Sequence, residues 1–353
     1  MSIYINGIGC ISPQLSTDGG LFSGVIKVYE DEFLKCIDPD YKLYIPPTMA
    51  RRAGRIIKMG AAAAKICLQD SGIGMPGAII TGTGMGCIED TENFLTEMIR
   101  NDEKMLAPTT FIQSTHNTTA AQIAILLSCN NYNMTYVHRG FSFESALIDS
   151  IMQIDQGEAE NILAGGLDEM TPGMFAISTR LGVYRSSCKG HISLFSEKTS
   201  GSFAGEGAAF FLLDHQQTPS TYCRLEAVEM LYKPKDEQEV TGKIIKLLSA
   251  HSLQIEDIDL VLCGINGDER FDGIYGKVLA PFEKSRLAYY KHLCGEYHTS
   301  AAFALWLSAM ILKNNRIPPF VLINEDNSLA LENILIYNHY LGSNHSLILL
   351  RKC

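Results

Sequence analysis

One stretch, Thr135–Pro172, restricts the fold more than any other: TYVHRGFSFESALIDSIMQIDQGEAENILAGGLDEMTP. Thr135–Val137 reads as a short strand and Arg139–Gly140 as a tight turn. Leu147, Ile148, Ile151, Met152 and Ile154 then recur at helical spacing and predict a helix with a broad apolar face. After Gly157–Glu160 a second strand, Asn161–Ala164, runs into Gly165–Gly166. Enzymes often hold a nucleophile where a strand turns into a buried helix, because the helix N-terminus supplies backbone N–H groups and a positive dipole end. No cysteine stands at this turn.

The remaining chain places that unit in a large α/β protein. At 353 residues, 46% of them apolar and 19% charged, it is long enough for about two domains and neither disordered nor fibrous. MSIYINGIGCIS alternates like a first strand rather than a signal peptide, and no apolar run reaches the ~20 residues that span a bilayer. A cytoplasmic protein without membrane contact is expected. The net charge of −10 argues against nucleic acid as a partner. Ten cysteines without a CxxC pair fit reduced, buried thiols better than disulfides or a metal site. Cys294, in a polar Gly-containing segment, is the one thiol that stands apart.

In chain order, Ala50–Ile73 predicts an alanine-rich helix, with Arg51, Arg55 and Lys58 on one face as a docking patch for an acidic carrier or as a solvated face. Gly77–Thr81 is a strand entering a Gly-rich turn, TGTGMG, which lacks the lysine of a Walker loop. Residues 107–127 form a polar loop and an apolar helix, and residues 173–200 are polar and irregular. Gly201–Asp214 enters a buried strand. Leu225–Tyr232 and Asp257–Cys263 are strands flanking a helix at Val240–His251. Leu287–Leu312 is a polar turn running into a long apolar helix, and residues 335–350 close the chain. Both halves show the same order of elements, which predicts an internally duplicated α/β fold with mixed sheets and buried central helices, divided into 1–214 and 215–353.

RRAGRIIKMGAAAAKICLQDSGI, TGTGMG, NTTAAQIAILL, the Gly140 helix with its following strand, GSFAGEGAAFFLLD and LGSNHSLIL together resemble a β-ketoacyl synthase of the thiolase superfamily over nearly the whole length. In that family a cysteine accepts an acyl chain from acyl carrier protein, and two histidines bind the malonyl carbonyl during decarboxylation, supported by a lysine. No cofactor and no metal are implied. Counted back from QGEAE, the nucleophile position falls on Gly140. The two histidine positions fall on Asp268 and Glu296, and the lysine position on Lys291.

Glycine cannot form an acyl-enzyme, and two carboxylates would repel an enolate rather than stabilise it. A buried carboxylate needs a partner, so Arg139, Lys291 or His298 is expected beside Glu296. The resemblance therefore implies a subunit of the chain-length-factor type. Such a chain pairs with an active ketosynthase in a dimer and shapes its acyl tunnel in fatty acid, polyketide or aryl polyene synthesis. Phe111, Thr115 and His116 are the candidate reaching segment, and Arg51, Arg55 and Lys58 the candidate carrier patch. The alternatives are an autonomous 3-oxoacyl synthase or acyltransferase with a displaced site at Ser142, Cys294 or His298, and an acyl-chain binder without chemistry.

Overall fold

Ten strands among the described residues, most of them buried by layers on both faces, give the molecule its frame. The computed structural model describes residues 2–17, 20–194, 199–324 and 330–353. The first five strands are β1 Ile3–Ile11, β2 Ala78–Gly82, β3 Tyr132–Tyr136, β4 Asn161–Asp168 and β5 Gly207–Asp214. The second five are β6 Cys223–Tyr232, β7 Leu260–Cys263, β8 Arg286–Tyr289, β9 Asn333–Tyr340 and β10 Asn344–Arg351. Their order is β3-β2-β4-β5-β1-β6-β10-β9-β7-β8. Read outward from the β1–β6 junction, the two halves are the same arrangement with strand numbers offset by five. In each, the outer three strands are parallel and the rest antiparallel. The duplicated, mixed-sheet α/β fold is present.

The pleat decides which layer each side chain joins. In β2, Ile80 faces the central core and Ile79 the outer one; in β9, Ile334 and Ile336 face inward while Leu335 and Tyr337 face outward. Strands buried on both faces read as continuous apolar runs. The central core joins both halves to the helices Ser142–Asp155 and Ala301–Asn314 through Phe143, Leu147, Phe303 and Trp306. The Ala301 helix is apolar all round, as an enclosed helix must be. Arg55–Ser71 covers the outer face of the first half and Glu237–Ala250 that of the second. No helix among the described residues is long and apolar enough to cross a membrane.

Three local expectations are corrected. The Ala50–Ile73 helix begins only at Arg55, where the Glu169 carboxylate accepts from the Ile56 N–H (3.2 Å) and sets the start. Arg51 is left outside it, so Arg51, Arg55 and Lys58 share no helix face. Residues 173–200 are not all irregular: Pro172–Arg180 is a helix, opened by Pro172 and capped by Thr171 Oγ1 on the Met174 N–H (3.1 Å). Within that stretch, residues 195–198 lie outside the described residues. Arg286–Tyr289, in part assigned to a turn, is strand β8, paired with β7.

Candidate functional site

Between β3 and the Ser142 helix, Arg139–Phe141 makes a single 3-10 turn. Arg139 adopts a left-handed φ of 50°, uncommon for a residue with a β-carbon. Ser142 secures the turn: its Oγ accepts from the His138 N–H and donates to the Arg139 carbonyl, both at 2.8 Å. The side chain is fully buried and committed to the backbone. Gly140 faces the end of β9. A β-carbon there would lie 2.6 Å from Tyr340 Cβ and 3.0 Å from its Cγ. The turn presents backbone and no nucleophilic side chain, and Tyr340 occupies the space in front of it.

Deeper in, Lys291 and Glu296 form an enclosed ion pair. Lys291 Nζ is 2.6 Å from Glu296 Oε2, and the two side chains are 1% and 2% exposed. Asn266 Nδ2 donates to the same oxygen (2.6 Å), and Ser300 Oγ lies 3.4 Å from Oε1. Of the three expected partners, Lys291 is the one that pairs. Asp268 is buried but turns elsewhere: Arg270 Nε donates to its Oδ1 (2.8 Å), while the same guanidinium reaches the Gly182 carbonyl (2.7 Å). Asn266 links the two acids, because its Oδ1 accepts from the Asp268 N–H (3.1 Å). Nearby, burial pushes Glu144 up to about 7, with Ser346 and the Lys291 charge pulling the other way.

The Gly-rich turn brings further residues to this place. The missing side chain of Gly84 makes room for the His298 ring, and that of Gly86 for His116. Asp168, at the end of β4, holds the assembly: Thr83 Oγ1, Gly84 N and Met85 N donate to its Oδ1, and Thr299 N and Oγ1 to its Oδ2, at 2.8–3.2 Å. This carboxylate ties the loop after β2 to the entry of the Ala301 helix. The sequence singled out neither Asp168 nor Tyr340. An acid closing an apolar strand beside two glycines was the one available signal for Asp168; for Tyr340 there was none.

His298 packs at a tilt against Tyr340 (ring centroids 4.8 Å apart), and burial lowers its pKa, with Asp168 and Glu296 pulling the other way. Cys294 is fully buried and its thiol is pushed well above the ordinary range by burial, the reverse of an activated cysteine. Phe111 is exposed and packs on Phe94 at 5.3 Å, and Thr115 hydrogen-bonds Thr118 at 2.8 Å. They stand apart from the Lys291–Glu296 pair; His116, through Gly86, is the member of that segment that touches the central loop. Arg55 is spent internally on Glu206 (2.6 Å) and Asp38 (3.1 Å), which removes it from a free docking patch. Among the described residues no cluster of His, Cys, Asp and Glu could hold a metal.

The architecture and this arrangement of turn, loop and helix define a condensing-enzyme scaffold. Residues 3–218 match the β-ketoacyl synthase N-terminal domain. The chain belongs to the β-ketoacyl synthase family. Among solved structures it is similar to a β-ketoacyl synthase from Burkholderia phymatum STM815 (15% identity, TM-score 0.83). It is also similar to the ishigamide ketosynthase/chain length factor (17%, 0.82). A third is the AntDE:AntF complex, a type II polyketide synthase acyl-carrier protein with its ketosynthase bound to the hexaketide (15%, 0.74). Each alignment covers all of this chain and 99% of the other. No curated protein matches by sequence.

Proposed function

We propose that this chain is a non-catalytic, chain-length-factor-type subunit that pairs with an active ketosynthase and shapes the tunnel for its growing acyl chain. The observation that carries this reading is the turn itself: residue 140 has no side chain, and Tyr340 stands where a nucleophile would project. The buried Lys291–Glu296 pair supports it, since its charges satisfy each other rather than waiting for a substrate. The alternative of a displaced active site is disfavoured by the enclosure of Cys294 and the backbone commitment of Ser142.

The pairing surface in this reading is the outer edge of the first half. β3 is an edge strand whose Tyr132 and Met134 are exposed, as is Ile125 on the neighbouring helix Thr118–Leu127. An unprotected apolar edge invites another strand. The test is co-purification from the native host with a condensation assay. A Cys-containing ketosynthase should come down with this chain, and condensation should need both. Condensation by this chain alone, with no such partner recovered, overturns the reading.

A further inference from the structure

Residues 24–36 run as an irregular strap that is fastened beside the helical turn Lys291–Cys294. The fastening is His191, whose side chain is fully enclosed. Its Nε2 accepts from the Tyr29 N–H (2.9 Å), and its Nδ1 lies 2.6 Å from the His292 carbonyl oxygen. A backbone amide can only donate and a carbonyl can only accept, so the neutral ring carries its one hydrogen on Nδ1. We propose that His191 is a pH-operated latch, and that protonation of Nε2 releases the strap from the Lys291–Cys294 turn.

A hydrogen on Nε2 would point at the Tyr29 N–H, setting two donors against each other in an enclosed space, where an unsatisfied donor is costly. Burial lowers the pKa of the ring, with the His292 carbonyl pulling the other way. The titratable and charged groups around it are Tyr29, Lys27 and Asp31 of the strap, Cys188 of its own segment, His292 of the turn, and Arg185 behind Phe203. His292 is buried and neutral too, and the two rings oppose each other's charge. No carboxylate among the described residues pairs with the His191 ring to hold it protonated. The other ties of the strap join groups that do not titrate between pH 5 and 8: Leu34 N–H to the Ala204 carbonyl (2.9 Å), Cys188 N–H to the Asp31 carbonyl (2.7 Å), and the Tyr29 hydroxyl shared between the Pro13 (2.6 Å) and Lys35 (2.8 Å) carbonyls. Behind the latch lies the buried ion pair. His292 follows Lys291 in the chain, and Phe203, whose ring flanks His191 at 6.4 Å, accepts from the Glu296 N–H through its carbonyl (2.7 Å). Release of the strap uncovers this wall of the Lys291–Glu296 pair. The latch does not rest on the pairing proposed above.

The neutral ring contributes fully above its ordinary value of 6.5, and that contribution is lost as pH falls from there through the lowered folded value. The experiment is hydrogen exchange of the full chain, read by mass spectrometry from pH 7.5 to pH 5 and corrected for intrinsic exchange. It compares the natural protein with His191→Gln and Tyr29→Phe. In the natural protein, opening of residues 24–36 should rise by up to about tenfold per pH unit below 6.5, while residues 301–314 stay protected. His191→Gln, whose side chain does not titrate, should open more often at pH 7.5 and lose the slope. Tyr29→Phe removes the hydroxyl and keeps the latch, so it should open more at every pH with the slope unchanged. A flat profile in the natural protein overturns the proposal, as does a slope that survives in His191→Gln. Equal opening of residues 301–314 also overturns it, because the whole fold would then be opening. If His191→Gln does not fold, the natural protein and Tyr29→Phe still decide.

Discussion

Tyr340 is seated on Gly140: a β-carbon at residue 140 would meet the Tyr340 β-carbon at 2.6 Å. The contact is with the root of the tyrosine side chain, which is anchored at the end of β9 and cannot rotate away.

Gly140→Cys should therefore lower stability by about 1–3 kcal/mol through overpacking. Tyr340→Gly in the same chain, which removes that β-carbon, should recover part of that loss. Urea denaturation of the two variants measures both effects. On the reading proposed above, in which Asp268 and Glu296 take the places of the family's two histidines and offer no neutral donor, Gly140→Cys should not condense; elongation of an acyl carrier thioester by that variant would refute that reading.

Lys291→Met leaves Glu296 buried with Asn266 and Ser300 as its side-chain partners among the described residues. The expected cost is about 3–5 kcal/mol, since breaking an enclosed pair strands a charge. Replacing both residues with apolar ones of similar volume, Lys291→Met with Glu296→Leu, should restore much of it. If the single variant unfolds at the same urea concentration as the parent, the pair is not the anchor described here.

The contributions of Glu144 and Glu169 to stability should fall as pH rises from 5 to 8. Burial raises Glu144 from 4.5 to about 7 and Glu169 from 4.5 to about 8, so the folded state holds protons that the unfolded chain has released. Their contribution is fully present below about 4.5 and is lost as pH passes their folded values. Glu144→Gln, which keeps the neutral shape, should flatten that decline by on the order of 3 kcal/mol. His292 acts in the opposite direction: burial lowers it to about 3, so its contribution is lost as pH falls below 6.5. Urea midpoints at four pH values separate the two slopes.

Met134→Glu and Ile125→Glu test the β3 edge. Both residues are exposed in the single chain, so each change should alter its stability by less than about 0.5 kcal/mol. On the proposed pairing, sedimentation analysis should nevertheless show loss of association with a Cys-containing ketosynthase. Unchanged association would place the pairing surface elsewhere.

Fold class was legible because its signals are periodic and local. Ile79–Ile80 and Leu335–Ile336 alternate between two buried faces, and the Ala301 helix is apolar all round, which only an enclosed helix tolerates. The absence of a side chain at residue 140 was equally plain, since residue identity is local. Element boundaries were less legible where a distant group sets them. Arg55 begins its helix because Glu169, more than a hundred residues away, accepts the Ile56 N–H.

By itself the sequence determined which side chains are present at the turn and at the two downstream loops, because identity is a local property. It also narrowed the partner of Glu296 to three basic side chains. Only the tertiary structure chose Lys291, seated Tyr340 over Gly140 and gathered five donors on Asp168. Those outcomes depend on how the β2 loop, the end of β9 and the entry of the Ala301 helix meet in space. Hydrogen bonds and close contacts act over a few ångströms, and residues that far apart in the chain come within reach only once the two halves have folded around their shared core.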